Sequence, residues 1–194
     1  MQATGFVTAG GQSSRMGRDK AWLEIGGVSF IERIIGVLKP VVGDLFLIAN
    51  EPAYEQLGYQ VLPDERTGIG PAEAIRTALF HSPTSILVLV GCDLPFVTTD
   101  LFATLLSKLE DHQVVAPLGP GGMLEPLCAV YNKNALETFT FLIDAGERKI
   151  SRFYDRLNTR LVPFDELKSL AGSERFFFNV NSPDDYDRAK RLLI

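Results

Sequence analysis

Hydrophobic residues recur along the chain in short, unbroken runs that polar stretches separate. Most of these runs lack the alternation of a strand with one solvated face, as expected for strands that helices cover on both faces. They are rich in Val, Ile, Leu and Phe. The pattern predicts eight β-strands, at residues 5–8, 45–49, 60–62, 86–90, 114–116, 127–131, 161–163 and 176–180.

Between the predicted strands, apolar residues repeat at the helical period of three to four positions. Ser29 can cap a helix over residues 30–39, with Glu32 completing a capping box and Pro40 ending the helix. Similar patterns predict helices over residues 72–80, 100–110, 133–144 and 183–193. This alternation predicts a three-layer, Rossmann-like α/β fold with a mainly parallel sheet and a ligand site at the carboxyl ends of the strands.

Length and composition predict a single globular domain over residues 1–194. The chain has 194 residues, 46% of them hydrophobic, which is enough for a sizeable core. Its net charge of −5 argues against a nucleic-acid-binding surface, and no apolar run approaches the roughly 20 residues that span a membrane. Cys92 and Cys128 lie in apolar runs, which predicts buried, reduced thiols and a cytoplasmic protein.

A long polar loop, TAGGQSSRMGRDKA at residues 8–21, follows the first predicted strand. A P-loop would have four residues between its glycines and a lysine after the second, but five residues separate Gly11 from Gly17 and Arg18 follows. A dinucleotide fingerprint would have one residue between its first two glycines, but Gly10 and Gly11 are adjacent. The spacing therefore excludes both motifs.

The same loop is rich in groups that bind a nucleoside triphosphate: accessible backbone N–H donors, hydroxyl donors and cations. These are supplied by Gly10 and Gly11, by Ser13 and Ser14, and by Arg15 and Lys20, respectively. The alternative is a plain turn with solvated cations, but a plain turn rarely needs so many residues.

A second landmark is VLVGCDLPFV, residues 88–97, which delivers Asp93 to the end of a predicted central strand before Pro95 stops the ladder. An ionised carboxylate at that place can hold Mg²⁺ against phosphate oxygens. The alternative is an aspartate that caps the turn before the helix start at Thr98 and Thr99.

The opening loop resembles the A-G-G-x-S-x-R-M-G-x-D-K loop of the sugar-phosphate and cofactor nucleotidyltransferases, most closely that of the molybdenum cofactor guanylyltransferases. The resemblance extends over nearly the whole chain. It implies transfer of GMP from GTP to the terminal phosphate of molybdenum-molybdopterin, with release of pyrophosphate and with Mg²⁺ as cofactor. It also implies that Arg15, Lys20 and Asp93 are catalytic and that Asp93, in its G-x-D-x-P context, binds the metal.

The resemblance further implies nucleotide-binding positions on the first strands and the loops that follow them. These are Thr8, Ala9, Gly10, Gly11, Lys20, Asn50, Asp64 and Asp93. The chain departs from the family where Thr8 replaces a leucine and where Asn50 lies two residues after the family's asparagine. The family's G-P-x-x-G segment is Gly70-Pro71-Ala72-Glu73-Ala74, without the second glycine.

Acceptor-binding residues are expected in the carboxy-terminal half, with the nucleotide site in the amino-terminal half. GGMLEPLCAVY at residues 121–131 resembles the family's E/Q-P-L-x-A-x-Y strand, and NVNSPDDY at residues 179–186 resembles its N-x-N-T-P-E-D element. Asn179 and Asn181 alternate along the chain, so that one can reach a ligand while the other caps the last helix.

A basic segment around Arg148, Lys149 and Arg152 offers cations for the acceptor's phosphate. The spacing of Arg148 and Arg152 fits one helical face. The alternative is a solvated helix surface.

Two other functions stay open: a cytidylyl- or sugar-phosphate nucleotidyltransferase, and a nucleotide-binding module without turnover. Asp93 favours an enzyme, because a module could dispense with a metal carboxylate. Guanine preference comes from the resemblance alone. The expected partners are GTP and the molybdopterin cofactor as substrates, with transient contacts to molybdoenzymes or cofactor-delivery proteins, and neither nucleic acid nor a membrane.

Overall fold

The structure, a computed structural model, describes residues 2–10, 19–66 and 68–192. In chain order its strands are β1 (Thr4–Thr8), β2 (Glu24–Ile25), β3 (Val28–Ser29), β4 (Asp44–Ile48), β5 (Gln60–Leu62), β6 (Ile86–Gly91), β7 (Val114–Pro117), β8 (Cys128–Asn132) and β9 (Thr159–Val162). Seven of them form one sheet in the order β5-β4-β1-β6-β8-β7-β9, and β2 and β3 pair as a separate antiparallel hairpin.

Most neighbours in the sheet are parallel, and β8 alone runs against both of its neighbours. Thr8 at the end of β1 lies beside Ile48 of β4 and Gly91 of β6. Because β8 is reversed, its first residue, Cys128, pairs with Val90 of β6. The ends of β1, β4, β5 and β6 and the start of β8 therefore share one edge, called the carboxyl edge below.

The described ranges contain six α-helices: α1 (Phe30–Leu38), α2 (Pro71–His81), α3 (Thr99–Ser107), α4 (Leu136–Asp144), α5 (Ile150–Tyr154) and α6 (Pro183–Arg191). One core packs α1 and α3 on one face of the sheet, and a second packs α2, α4 and α5 on the other. Every residue of β6 is buried, which explains its unbroken apolar sequence. Ser29 and Glu32 form the predicted capping box of α1.

Seven of the eight predicted strands and all five predicted helices are confirmed, with ends that differ by at most three residues. The predicted strand at residues 176–180 is wrong. Here the Phe178 N–H donates to the Arg175 carbonyl at 3.0 Å and the Asn179 N–H to the Phe177 carbonyl at 3.1 Å, which are turn contacts. The run is apolar because Phe176 and Val180 pack into the core, without a ladder.

Helix α5 and the β2–β3 hairpin are too short to leave a periodic pattern, and the sequence does not predict them. Because α5 begins at Ile150, Arg148 precedes the helix, and the predicted common helical face of Arg148 and Arg152 is wrong. Cys92 and Cys128 are buried free thiols, as predicted. None of the helices in the described ranges is both long and apolar enough to cross a membrane.

Candidate functional site

Four segments leave the sheet at its carboxyl edge and carry most of the predicted nucleotide-binding residues. Parallel strands end at one edge of their sheet, so side chains that are far apart in sequence gather there. These are Ala9 and Gly10 after β1, Asn50 after β4, Asp64 after β5 and Asp93 after β6.

Contacts at the end of the polar loop and with Tyr54 fix the backbone at Lys20. Lys20 begins a short 3-10 helix that Asp19 caps by accepting a hydrogen bond from the Ala21 N–H at 3.1 Å. The second Asp19 oxygen accepts a hydrogen bond from the buried Tyr54 hydroxyl, and the Trp22 and Tyr54 rings stack with centroids 5.3 Å apart. Burial and this bond raise the pKa of Tyr54 well above its ordinary value, so that the hydroxyl stays a donor.

The Lys20 ammonium crosses to the carboxy-terminal segment. It donates a hydrogen bond to Asn181 Oδ1 at 2.7 Å. The neighbouring Val180 donates its N–H to the Asp93 carbonyl at 2.9 Å. Ser182 caps α6, so neither predicted asparagine is needed for that role. The segment before α6 is therefore tied both to Lys20 and to the end of β6.

The Asp93 carboxylate folds back over the end of β6. A Cβ on Gly91 would lie 2.7 Å from Asp93 Oδ1 and 3.7 Å from Thr8 Oγ1, so a glycine is required for the carboxylate to sit there. Burial raises the pKa of Asp93, and the positive charge of Lys20 lowers it. A partly buried carboxylate whose charge a lysine partly compensates is suited to receive a cation.

Glu125, in the segment before β8, joins the same crevice. Burial raises the pKa of Glu125 to about 7, a hydrogen bond with the Asn179 side chain lowers it, and the charge of Asp93 raises it. Glu125 and Asn179 therefore lie within electrostatic reach of Asp93. The sequence places both in the segments that the resemblance assigned to the acceptor.

The two thiols near this crevice are chemically inert. Burial, helped by the charge of Asp93, raises the pKa of Cys92 to about 12. Burial together with Glu125 and Asp93 raises the pKa of Cys128 well above its ordinary value. Since the thiolate is the nucleophile, burial disfavours covalent catalysis through either cysteine.

The end of the carboxyl edge at β4 and β5 carries Asn50 and Asp64. Asn50 Oδ1 accepts a hydrogen bond from the Asp64 N–H at 3.1 Å, and the Thr77 hydroxyl donates to the Asp64 carboxylate at 3.5 Å. Gly10, after β1, has a φ of +82°, and Glu51 Oε2 lies 2.7 Å from the position that a Cβ on Gly10 would occupy. Any other residue at position 10 would be strained by this φ, and the Glu51 side chain would have to move away.

Glu73, which distinguishes the α2 start from the family pattern, is buried and paired. Arg76 donates through Nη2 to Glu73 Oε1 at 2.6 Å and through Nε to both oxygens at 3.1 Å. The same Arg76 Nη2 lies 2.6 Å from Glu65. Burial and, to a lesser degree, Glu73 raise the pKa of Asp64. Arg76, which Glu73 orients, therefore joins α2 to Glu65 in the segment after β5.

Arg148, Lys149 and Arg152 lie exposed at or beyond the end of α4. An ion pair of 2.6 Å between Asp144 of α4 and Arg66 places that end at the carboxyl edge. Arg148 Nη1 donates hydrogen bonds to residues close in sequence, the Glu147 carbonyl at 2.7 Å and the Ile143 carbonyl at 3.2 Å. The segment thus lies at the carboxyl edge, but among the described residues it forms no contact with Lys20 or Asp93.

The structure therefore gathers Lys20, Asp93, Asn179 and Asn181 at one crevice and places Thr8, Asn50 and Asp64 along its rim. Gly11, Ser13, Ser14 and Arg15 lie outside the described residues. Sequence reasoning missed the contributions of Asp19, Tyr54 and Glu125. Asp19 and Glu125 stand inside quoted motifs and could have been found there, whereas Tyr54 has no local signal because its role arises from packing across strands.

Comparison with known proteins agrees with this geometry. The family model of the MobA-like NTP transferase domain matches residues 5–160. A probable molybdenum cofactor guanylyltransferase of Pelotomaculum thermopropionicum is 36% identical over 191 residues, which cover 98% of this chain and 93% of the relative. A molybdenum cofactor guanylyltransferase of a Shewanella species (strain ANA-3) is 33% identical, with 97% of this chain and 95% of the relative covered.

A solved structure shows the same fold. The crystal structure of the molybdopterin-guanine dinucleotide biosynthesis protein A from Archaeoglobus fulgidus superposes with a TM-score of 0.84 at 27% identity, over 98% of both chains. The matched sequence and fold extend through the crevice at the carboxyl edge. The chain is therefore a member of the MobA-like NTP transferase domain family and, within it, of the molybdenum cofactor guanylyltransferases.

Proposed function

We propose that the protein transfers GMP from GTP to the terminal phosphate of the molybdopterin cofactor and releases pyrophosphate. The observation that carries the proposal is the convergence of Lys20, Asp93 and Asn181 from three distant segments at the carboxyl edge. The names of the relatives supply the substrates, and the crevice supplies groups suited to the chemistry.

Attack of one phosphate on another requires that their mutual repulsion be neutralised and that they be held in line. Lys20 offers a fixed ammonium, because Asp19 holds its backbone and Asn181 orients its Nζ. On binding, triphosphate oxygens would replace or join Asn181 as acceptors of the Lys20 protons. Asn179 and Glu125 face the same space from the acceptor side.

Asp93 is the residue that we propose holds Mg²⁺. It fits because its carboxylate is partly buried, lies over the glycine at position 91, and has its charge favoured by Lys20. Carboxylate oxygen is also the ligand that Mg²⁺ prefers. When bound, Mg²⁺ supplies charge neutralisation and polarisation at the reacting phosphates.

We also propose a single domain whose halves divide the substrates. The strand ends from residue 8 to residue 93 would hold the nucleotide, and Asn179, Asn181, Arg148 and Arg152 would hold the acceptor. Arg15 and Gly11 would complete the nucleotide loop.

Buried free thiols are typical of a reducing compartment, which supports a cytoplasmic location. Transient contacts with molybdoenzymes or delivery proteins would pass the product on.

The test is pyrophosphate release from each of the four nucleoside triphosphates, with and without molybdopterin. We expect release that depends on both GTP and molybdopterin. Preference for CTP would favour the cytidylyltransferase alternative, and binding of a nucleotide without release under any condition would favour the non-catalytic module.

A further inference from the structure

The two ends of the crevice differ in charge, and this difference orients the nucleotide. Lys20 and Asp93, which suit phosphates and their metal, lie beside β1 and β6. The opposite end, beside β4 and β5, presents oxygen acceptors from Asn50 and Asp64, and the Glu51 carboxylate lies between that end and β1, against Gly10. If the phosphates lie at the first end, the base must extend toward the second.

Of these three acceptors, Glu51 is the one whose side chain is free to accept further hydrogen bonds. Asn50 Oδ1 already accepts the Asp64 N–H, and Asp64 accepts the Thr77 hydroxyl. Within residues 2–10, 19–66 and 68–192, the Glu51 carboxylate has no hydrogen bond or ion pair. It is exposed and precedes the 3-10 helix Pro52–Leu57 without a side-chain capping bond, so its carboxylate is open to a ligand.

The Glu51 carboxylate instead points across to β1. Its Oε2 approaches within 2.7 Å of the Cβ position of Gly10, in the loop where a nucleotide would bind. The register that pairs Thr8 with Ile48 brings the segments after β1 and β4 to the same level. The absence of a side chain on Gly10 leaves room for this approach and for a flat ring against the backbone.

We infer that the Glu51 carboxylate selects guanine by accepting hydrogen bonds from its N1–H and N2 amino groups. This inference rests on the proposed function and names the residue that sets its base specificity. Guanine offers two adjacent donors on that edge, which match the two oxygens of a carboxylate. Adenine presents a lone pair at N1, which a carboxylate repels, and inosine lacks the N2 amino group.

The test compares binding of GTP and ITP, which differ only in the N2 amino group, to the full chain in magnesium buffer without acceptor. We expect wild type to prefer GTP, and Glu51→Gln to lower that preference about fivefold, because a neutral acceptor makes weaker hydrogen bonds than an ionised one. The loss should be larger for GTP than for ITP, because ITP forms only the N1–H hydrogen bond to Glu51 whereas GTP forms two.

Glu55→Gln is the matched control, since Glu55 is exposed on the same 3-10 helix. It should keep the wild-type preference, and thermal unfolding should show that both variants fold. Equal GTP and ITP affinity in wild type would overturn the inference, as would an unchanged preference in Glu51→Gln. A gain in affinity for both nucleotides alike would also overturn it, because the carboxylate would then only repel phosphates.

Pyrophosphate release measured in parallel separates the two claims. Discrimination between GTP and ITP that depends on Glu51, without release in the presence of molybdopterin, would contradict the proposed transfer and support the inference. Pyrophosphate release that depends on molybdopterin, together with a GTP preference that Glu51→Gln does not change, would support the proposed transfer and contradict the inference.

Discussion

Two basic regions lie at the carboxyl edge, and they differ in what holds their cations. Lys20 is fixed by Asp19 and donates to Asn181, far away in sequence. Arg148 is exposed and donates to the carbonyls of Glu147 and Ile143, its own neighbours. Both were predicted to bind phosphate from similar evidence, a basic residue in a motif or cluster.

The difference shows which kind of charge is organised before a ligand arrives. A cation held by distant segments loses little entropy on binding phosphate, whereas an exposed arginine must give up local contacts and is screened by water. Substitutions in the Lys20 region should therefore cost more than those at Arg148. The following experiments test this ranking.

The largest effect is expected for Asp93→Asn, which removes the proposed metal ligand. We expect the transfer rate to fall about a thousandfold or more, with GTP affinity within about tenfold of wild type. Because burial already disfavours the charged carboxylate, stability should not fall. Rapid-quench turnover and GTP titration measure both quantities.

Asp100→Asn is the control for Asp93→Asn, since Asp100 is exposed in the first turn of α3. It should be active. Near-normal turnover in Asp93→Asn would remove Asp93 from the metal site and weaken the distinction between the two basic regions.

Lys20→Ala should weaken GTP binding by about 1.5–3 kcal/mol, the range for a hydrogen bond to a charged group. GDP and GMP should lose less, because they lack the outer phosphates. Calorimetric titration of the three nucleotides measures the losses, with exposed Lys168→Ala as the control. Equal losses for all three would show that Lys20 does not contact the outer phosphates.

Glu125→Gln tests burial within the crevice through stability. The folded-state pKa of about 7 lies above the ordinary value of 4.5, so the folded state binds the proton more tightly. The contribution of Glu125 to stability should therefore be fully present below about pH 4.5 and be lost as the pH rises through 7, by roughly 1–2 kcal/mol after allowance for partial solvent exposure.

Urea unfolding at several pH values between 4.5 and 7.5 measures this slope. Glu125→Gln should flatten it, and Glu137→Gln, on the exposed surface of α4, should leave it unchanged. A slope that survives in Glu125→Gln would mean that Glu125 is solvated and does not belong to the buried crevice.

Most of the fold and the Lys20–Asp93 pair could be predicted from sequence, because buried parallel strands and a strand-end aspartate leave local patterns. The strand wrongly predicted at residues 176–180 shows the limit. An aromatic run has the same sequence pattern whether its backbone pairs with a neighbouring strand or forms turns while its side chains pack into the core. Tyr54 could not be predicted as a partner of Asp19, since only the folded sheet brings the two together. The exposed state of Arg148 likewise depends on where α5 begins.

The smallest effect is expected for Arg148→Ala combined with Arg152→Ala. Two exposed contacts to an acceptor phosphate, at about 0.2–1 kcal/mol each, should raise the molybdopterin concentration needed for half-maximal rate about threefold to tenfold. GTP affinity should not change. Kinetic titration of molybdopterin at saturating GTP measures the half-maximal concentration. Arg156→Ala, which is exposed and lies beyond the end of α5, is the matched control.

An unchanged affinity for both ligands would show that Arg148 and Arg152 form a solvated surface. A loss of GTP affinity with molybdopterin binding intact would instead contradict the division of substrates between the two halves, because these cations would then serve the nucleotide that Lys20 already holds.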